Sequence, residues 1–186
     1  MKFDSDDVRF WQTEGINHLR FPFGPEHYDG DENVLTAVNM CKGTIRDVGC
    51  GYGRFARYFT PANYIGYDIC ETVVKKAIRF NPTYTFKHWN FEDMPYADTT
   101  IFINGPHLVS HDEISELFQI MMKNTKSIII GEMMDTSWVS PFEYAEYRRT
   151  IHQYDELLKD FIRVETYIGE HATWKKPFTT ARWERV

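Results

Sequence analysis

The stretch Thr44-Ile45-Arg46-Asp47-Val48-Gly49-Cys50-Gly51-Tyr52-Gly53-Arg54-Phe55 decides how this chain is read. Thr44 to Val48 has the make-up of a short buried strand, and it empties at once into three glycines at alternate positions. Glycine reaches backbone angles that a Cβ forbids and lets a ligand press against the main chain. A strand, a glycine turn and then a helix therefore predict a site for a nucleotide-like ligand. Spacing selects among such ligands. A dinucleotide fingerprint runs Gly-x-Gly-x-x-Gly, whereas here the third glycine comes one residue early and Arg54 stands in its place. NAD is disfavoured on that ground.

Working outward, short apolar runs alternate with segments of helical period. The strands expected are Thr44 to Val48, Tyr64 to Asp68, Tyr84 to Trp89, Thr99 to Ile103, Ser127 to Glu132, Arg163 to Ile168 and Thr179 to Arg185. Between them, Ser110-x-x-Glu113 is a capping box ahead of Ile114, Leu117, Phe118 and Met121 at helical spacing. Glu71 to Phe80 sets Val73, Val74, Ala77 and Phe80 on one side and stops before Pro82, as a crossover helix would. Only Gly169 to Pro177 separates the last two strands, too short for a helical crossover, so they are expected to be antiparallel neighbours. The fold class follows: α/β, a doubly wound, mostly parallel seven-stranded sheet with an antiparallel C-terminal hairpin and helices on both faces. With 186 residues and no repeat or shift in composition, one domain is expected, residues 44–186 its core and 1–43 an N-terminal lid or helical arm.

Asp47-x-Gly49-x-Gly51-x-Gly53 resembles the first motif of the class I methyltransferases that use S-adenosylmethionine (SAM), a family with a seven-strand sheet ending in an antiparallel hairpin. The resemblance spans roughly Thr44 to Val186 and implies SAM as cofactor. The family's second motif is an acid ending strand two, matched by Asp68, with Ile69 following. A carboxylate there accepts both ribose hydroxyls, an arrangement that neutral groups imitate poorly; the competing role for Asp68 is a helix N-cap. Asp47 is implied near the positive sulfonium and amino groups. After strand three, Asn90 and Phe91 fall where the family meets adenine, with Asn90 in place of the common Asp. Gly49, Cys50, Gly51 and Gly53, with Asn104 and Gly105 after strand four, complete the cofactor set. Cys50 is read as a shaping residue without redox chemistry.

The family's acceptor site lies beyond the carboxyl ends of the strands, which points to Asn104 to His111. His107 and His111 are the histidines near that edge, and neutral imidazole is the side chain best poised as a base near pH 7. The competing reading packs His107 under the cofactor and leaves His111 solvated at a helix start. Tyr144, Tyr147, Arg148 and Ile151 fall on one helical stripe, either a pocket wall with Arg148 meeting an anion or a face packed on the sheet. Trp11, in an aromatic N-terminal segment, is a candidate for substrate contact if that segment folds over the site.

Composition narrows the partners. A net charge of -6 argues against a broad grip on a nucleic-acid backbone, so a small-molecule acceptor, methylated on oxygen or nitrogen, is favoured over nucleic acid or protein. A SAM-binding module without transfer activity is the reading from outside the enzymes. Three cysteines, Cys41, Cys50 and Cys70, in no metal-ligand spacing fit reduced thiols, and no metal is expected. No apolar run reaches the ~20 residues a membrane span needs, and the acidic start is unlike a signal peptide, so a cytoplasmic location is expected. Oligomeric state is left open.

Overall fold

The computed structural model describes residues 9, 10, 32–134, 136, 137, 147–171 and 175–186. Among the described residues seven strands form one sheet: β1 (Ile45–Val48), β2 (Tyr64–Asp68), β3 (Thr85–His88), β4 (Ala97–Ile103), β5 (Thr125–Glu132), β6 (Phe161–Glu170) and β7 (Pro177–Arg185), in the order β3-β2-β1-β4-β5-β7-β6. The β1–β2, β1–β4, β2–β3 and β4–β5 pairs are parallel, while β7 runs antiparallel to both β5 and β6. All seven expected strands are present, and the hairpin reading of the last two holds. From β1 the chain winds outward through β2 and β3, then returns to the other side of β1 at β4. That reversal opens a crevice at the carboxyl ends of β1 and β4, where open α/β sheets bind ligands.

Four helices of the described residues cover the sheet: α1 (Glu32–Met40), α2 (Glu71–Phe80), α3 (His111–Met122) and α4 (Ile151–Leu157). One face carries α1 and α2, with Val34, Ala37, Met40, Val74 and Ala77 packed against Ile45, Ile101, Ile129 and Phe178. The other carries α3 and α4, with Ile114, Phe118, Met121 and Tyr154 packed on Phe102, Ile128, Ile130 and Trp183. Each fully buried Leu-, Ile- or Phe-sized side chain contributes about 1.5–3 kcal/mol, so both faces are held by apolar burial. The Ser110 hydroxyl caps α3 by accepting from the Glu113 N–H at 3.3 Å and itself donates to the Glu113 carboxylate at 2.8 Å.

Three expectations are corrected. The glycine turn leads into turns and two short 3-10 segments, Ala56–Tyr58 and Pro61–Asn63, rather than an α-helix. Only fifteen residues, 49–63, join β1 to β2, and positive φ angles at Gly49, Gly51 and Gly53 interrupt any helix in their first third. Phe80 is exposed at the last turn of α2 instead of facing the sheet. The stripe through Tyr147 and Arg148 does not form: residues 147–150 precede α4, which starts at Ile151 behind a capping box of Thr150 and Gln153. No helix among the described residues is long and apolar enough to cross a membrane.

Candidate functional site

Gly49, Gly51 and Gly53 all take positive φ, at 65°, 55° and 79°. The turn is pinned by hydrogen bonds from Cys50 N–H to the Tyr67 carbonyl and from Gly53 N–H to the Cys50 carbonyl, both 3.0 Å. Two of the glycines are required for different reasons. At Gly51 an added Cβ would meet no atom within 4 Å, so the turn leaves room for a ligand against its backbone. At Gly53 a Cβ would lie 2.6 Å from the Phe86 ring. Gly53→Ala is expected to cost about 2–4 kcal/mol, from left-handed backbone and overpacking together, read as a lower midpoint in chemical denaturation.

Asp68 ends β2 and faces this turn. One carboxylate oxygen, Oδ2, accepts from Gly51 N–H at 3.0 Å and the other, Oδ1, from Cys70 N–H at 2.9 Å. Asp68 is not the helix N-cap, which is Cys70; it ties the glycine turn to the residue that precedes α2 and keeps its remaining lone pairs beside Gly51. Burial raises its pKa, against the two backbone hydrogen bonds that lower it. Asp47, on β1, is almost wholly buried and accepts from the Tyr64 hydroxyl at 2.6 Å. Burial pushes its pKa up to about 7, offset in part by the Tyr64 hydrogen bond and by Arg54. Arg54 also donates to the Ile103 carbonyl at 3.0 Å, joining the glycine turn to the end of β4. Burial raises the Cys50 thiol well above its ordinary value, so it lines the turn as a neutral group.

Three described residues other than glycine take left-handed angles: Lys175 just before β7, and, beside this site, Phe91 (φ 61°) after β3 and Asn104 (φ 56°) after β4. Such angles are unusual for a bulky aromatic and gather at ligand sites. Phe91 packs on Trp89 with ring centroids 5.1 Å apart, and Asn90 beside it is exposed. At Gly105 a Cβ would strike Phe102 at 2.1 Å, which keeps that loop tight on β4. The candidate cofactor residues Asp47, Gly49, Cys50, Gly51, Gly53, Asp68, Ile69, Asn90, Phe91, Asn104 and Gly105 thus stand at or beside the carboxyl ends of β1 to β4.

Next to them, beyond β4 and β5, the structure gathers the acceptor candidates. Tyr147 N–H donates to the His107 carbonyl at 2.7 Å, and the His111 and Tyr147 rings meet edge to face at 5.6 Å. Arg148 is buried and donates to the Met133 carbonyl at 3.0 Å, which turns its guanidinium onto the end of β5. Trp11 and Tyr144 lie outside the described residues.

Sequence reasoning missed two residues here. Arg149 is buried and donates to the carbonyls of Pro106, Tyr147, Val109 and Ser110 at 2.8–3.0 Å, clamping the loop that carries His107. Glu132, at the end of β5, is fully buried; its Oε1 accepts from the Tyr154 hydroxyl at 2.5 Å and its Oε2 lies 3.3 Å from His107 Nδ1. The available signal was a glutamate closing the apolar run Ile128-Ile129-Ile130-Gly131 at the carboxyl edge of a strand.

Residues 45–127 match the family described as a methyltransferase domain. No curated protein matches the chain in sequence. Among solved structures, magnesium protoporphyrin IX methyltransferase from Synechocystis PCC 6803 superposes with a TM-score of 0.75 at 17% identity, over 97% of this chain and 100% of the other. The N-methyltransferase NodS from Bradyrhizobium japonicum WM9 gives 0.70 at 12% identity, over 90% and 91%. The 1,6-didemethyltoxoflavin-N1-methyltransferase of Burkholderia thailandensis gives 0.67 at 14% identity, over 97% and 86%. All three were crystallised with S-adenosylhomocysteine. At these identities the likeness is one of fold, and with the domain match it bears out the class I methyltransferase resemblance carried by the glycine turn.

Proposed function

From a chain with the class I methyltransferase fold and a methyltransferase-domain match across its glycine turn and first four strands, we propose a SAM-dependent enzyme that methylates an oxygen or nitrogen of a small molecule. It works as one domain with residues 44–186 as the core, onto which Glu32–Met40 packs through Val34, Ala37 and Met40. The observation that carries the reading is the Asp68 carboxylate held against Gly51 N–H where the turn leaves open space.

The residues fit SAM. Asp68 accepts the ribose hydroxyls, and Asp47 supplies negative charge toward the cofactor's cationic end. Asn90 and Phe91 take the adenine, and Asn104 and Gly105 close the crevice from β4. When bound, SAM supplies a methyl group on a positively charged sulfur, a reactive electrophile. The chain's task is then alignment and, for a hydroxyl or amine acceptor, removal of a proton. His107 is the base, with His111 and Tyr147 beside it as the near wall of the acceptor site, and Arg148 completes the contacts to substrate. A small-molecule acceptor is supported by the net charge of -6 and by the porphyrin and toxoflavin-type substrates named for two structurally similar enzymes.

Calorimetric titration tests the cofactor. SAM and S-adenosylhomocysteine are expected to bind with Kd of about 1–100 µM, roughly -8 to -5.5 kcal/mol, and NAD not to bind. Binding of NAD without SAM would sink the reading.

A further inference from the structure

Two buried polar atoms face each other across the end of β5 and the loop after β4. His107 Nδ1 and Glu132 Oε2 are both shut away from solvent, neither has a hydrogen-bond partner, and they stand 3.3 Å apart. Buried polar atoms are rarely left unsatisfied, because each costs about 1–3 kcal/mol. A small turn of the imidazole satisfies both at once, with Nδ1–H donating to Oε2. The histidine keeps 12% of its side-chain surface open while Nδ1 is covered, so its opening lies away from the carboxylate.

The other side of Glu132 is already fixed. Tyr154 is completely buried, and its hydroxyl donates to Oε1 at 2.5 Å. Burial and the adjacent Glu132 charge raise the Tyr154 hydroxyl well above its ordinary value, so it remains a donor. Arg149 stands beside the same phenol, and its charge reaches Tyr154. The same guanidinium clamps the Pro106 and Val109 carbonyls on either side of His107. Carboxylate, phenol and guanidinium therefore fix both the ring's partner and the loop that carries the ring.

We infer that Glu132 is a positioning residue for His107: it holds the imidazole in the tautomer with its proton on Nδ1, leaving the Nε2 lone pair as the base toward the acceptor. This rests on the reading of His107 as the base. In the step served, the acceptor O–H or N–H bond breaks, its proton forms a bond to Nε2, and the electron pair stays on the acceptor atom. The imidazolium so formed is stabilised through Nδ1–H by the Glu132 carboxylate. A carboxylate behind an imidazole plays this part in hydrolytic triads, where an amide in its place selects the wrong tautomer.

The test compares the full-length chain with Glu132→Gln by nitrogen NMR of 15N-labelled histidine at about pH 9, above the ordinary imidazole range. In the native chain the His107 proton is expected on Nδ1; in Glu132→Gln, whose amide N–H can donate to Nδ1, it is expected to move to Nε2. Carbethoxylation of His107 by diethyl pyrocarbonate, followed by peptide mass spectrometry, is expected to slow by about tenfold or more with the loss of the Nε2 lone pair. If Glu132→Gln does not fold, Glu132→Met with Tyr154→Phe removes both ends of the buried hydrogen bond and serves the same comparison, with Nδ1–H no longer favoured. An unchanged tautomer and unchanged modification rate, or a native proton on Nε2, overturns the inference. SAM titration of the same samples separates the two levels: a native chain that fails to bind SAM fails the proposed function, whereas intact SAM binding with an unchanged tautomer fails the role of Glu132 alone.

Discussion

Asp68→Ala lowers SAM affinity by about a hundredfold or more in calorimetric titration, the largest loss expected from any single substitution in the cofactor crevice. A hydrogen bond to a charged acceptor contributes about 1.5–3 kcal/mol; two ribose hydroxyls on one carboxylate therefore account for about 3–6 kcal/mol, or two to four powers of ten. The native protein also uses that carboxylate on Gly51 N–H and Cys70 N–H. The alanine variant thus leaves two backbone donors without their acceptor, and its thermal midpoint falls as well. Asp68→Asn separates the effects. Its single carbonyl oxygen can still accept from one of those N–H groups, so stability is largely retained while the charged acceptor is lost, and affinity drops by about tenfold to a hundredfold. Full SAM affinity in a folded Asp68→Ala protein would remove the main support for the cofactor reading.

The strands were legible because each is a short apolar or alternating run bounded by turn residues, and the Ser110-x-x-Glu113 capping box announced α3 before any contact was known. What escaped depends on tertiary placement. Phe80 has the spacing of a core residue, but α2 ends there and its side chain stays exposed. Tyr147 and Arg148 have helical spacing with Ile151, yet Thr150 with Gln153 begins the helix at Ile151, after both of them; Thr150-x-x-Gln153 was the signal to weigh against periodicity. Glu132 and Arg149 were passed over because charged residues are ordinarily exposed. They are separated by sixteen residues in the chain, and only the packing of α4 onto β5, which brings Tyr154 to Glu132, makes them parts of one buried network. The glycine turn and Asp68 were readable for the opposite reason: their roles are set by backbone angles and by the end of a strand, both local.

Asp47→Asn is expected to make the ligand-free chain more stable at pH 8 while weakening its hold on SAM. Burial raises the Asp47 pKa from 3.8 to about 7, with the Tyr64 hydrogen bond and Arg54 opposing the rise and Asp68 adding to it. The folded chain therefore binds the Asp47 proton over a range where the unfolded chain has released it. Stability from this group is fully present below about pH 4, falls as pH rises through about 7, and is lost above that. Asparagine carries no charge at any of these pH values and still accepts from the Tyr64 hydroxyl, so the variant escapes the loss. A gain of about 2 kcal/mol at pH 8, allowing for relaxation around the site, corresponds to a midpoint higher by about 4–8 °C for a chain of this size; near pH 4 the two proteins should melt together. Affinity runs the other way. A cationic cofactor favours the ionised carboxylate, so native SAM binding should strengthen as pH rises from 6 toward 8, approaching tenfold per unit below the midpoint, whereas the asparagine variant should bind about tenfold or more weakly at pH 8, without that slope. Thermal melts at pH 4 and 8 with SAM titrations from pH 6 to 8 decide the matter. A variant less stable than the native chain at pH 8, together with native binding independent of pH, would mean that Asp47 only organises the turn. The opposite pattern would mean that the fold keeps a destabilising buried acid because the cofactor's positive end needs it.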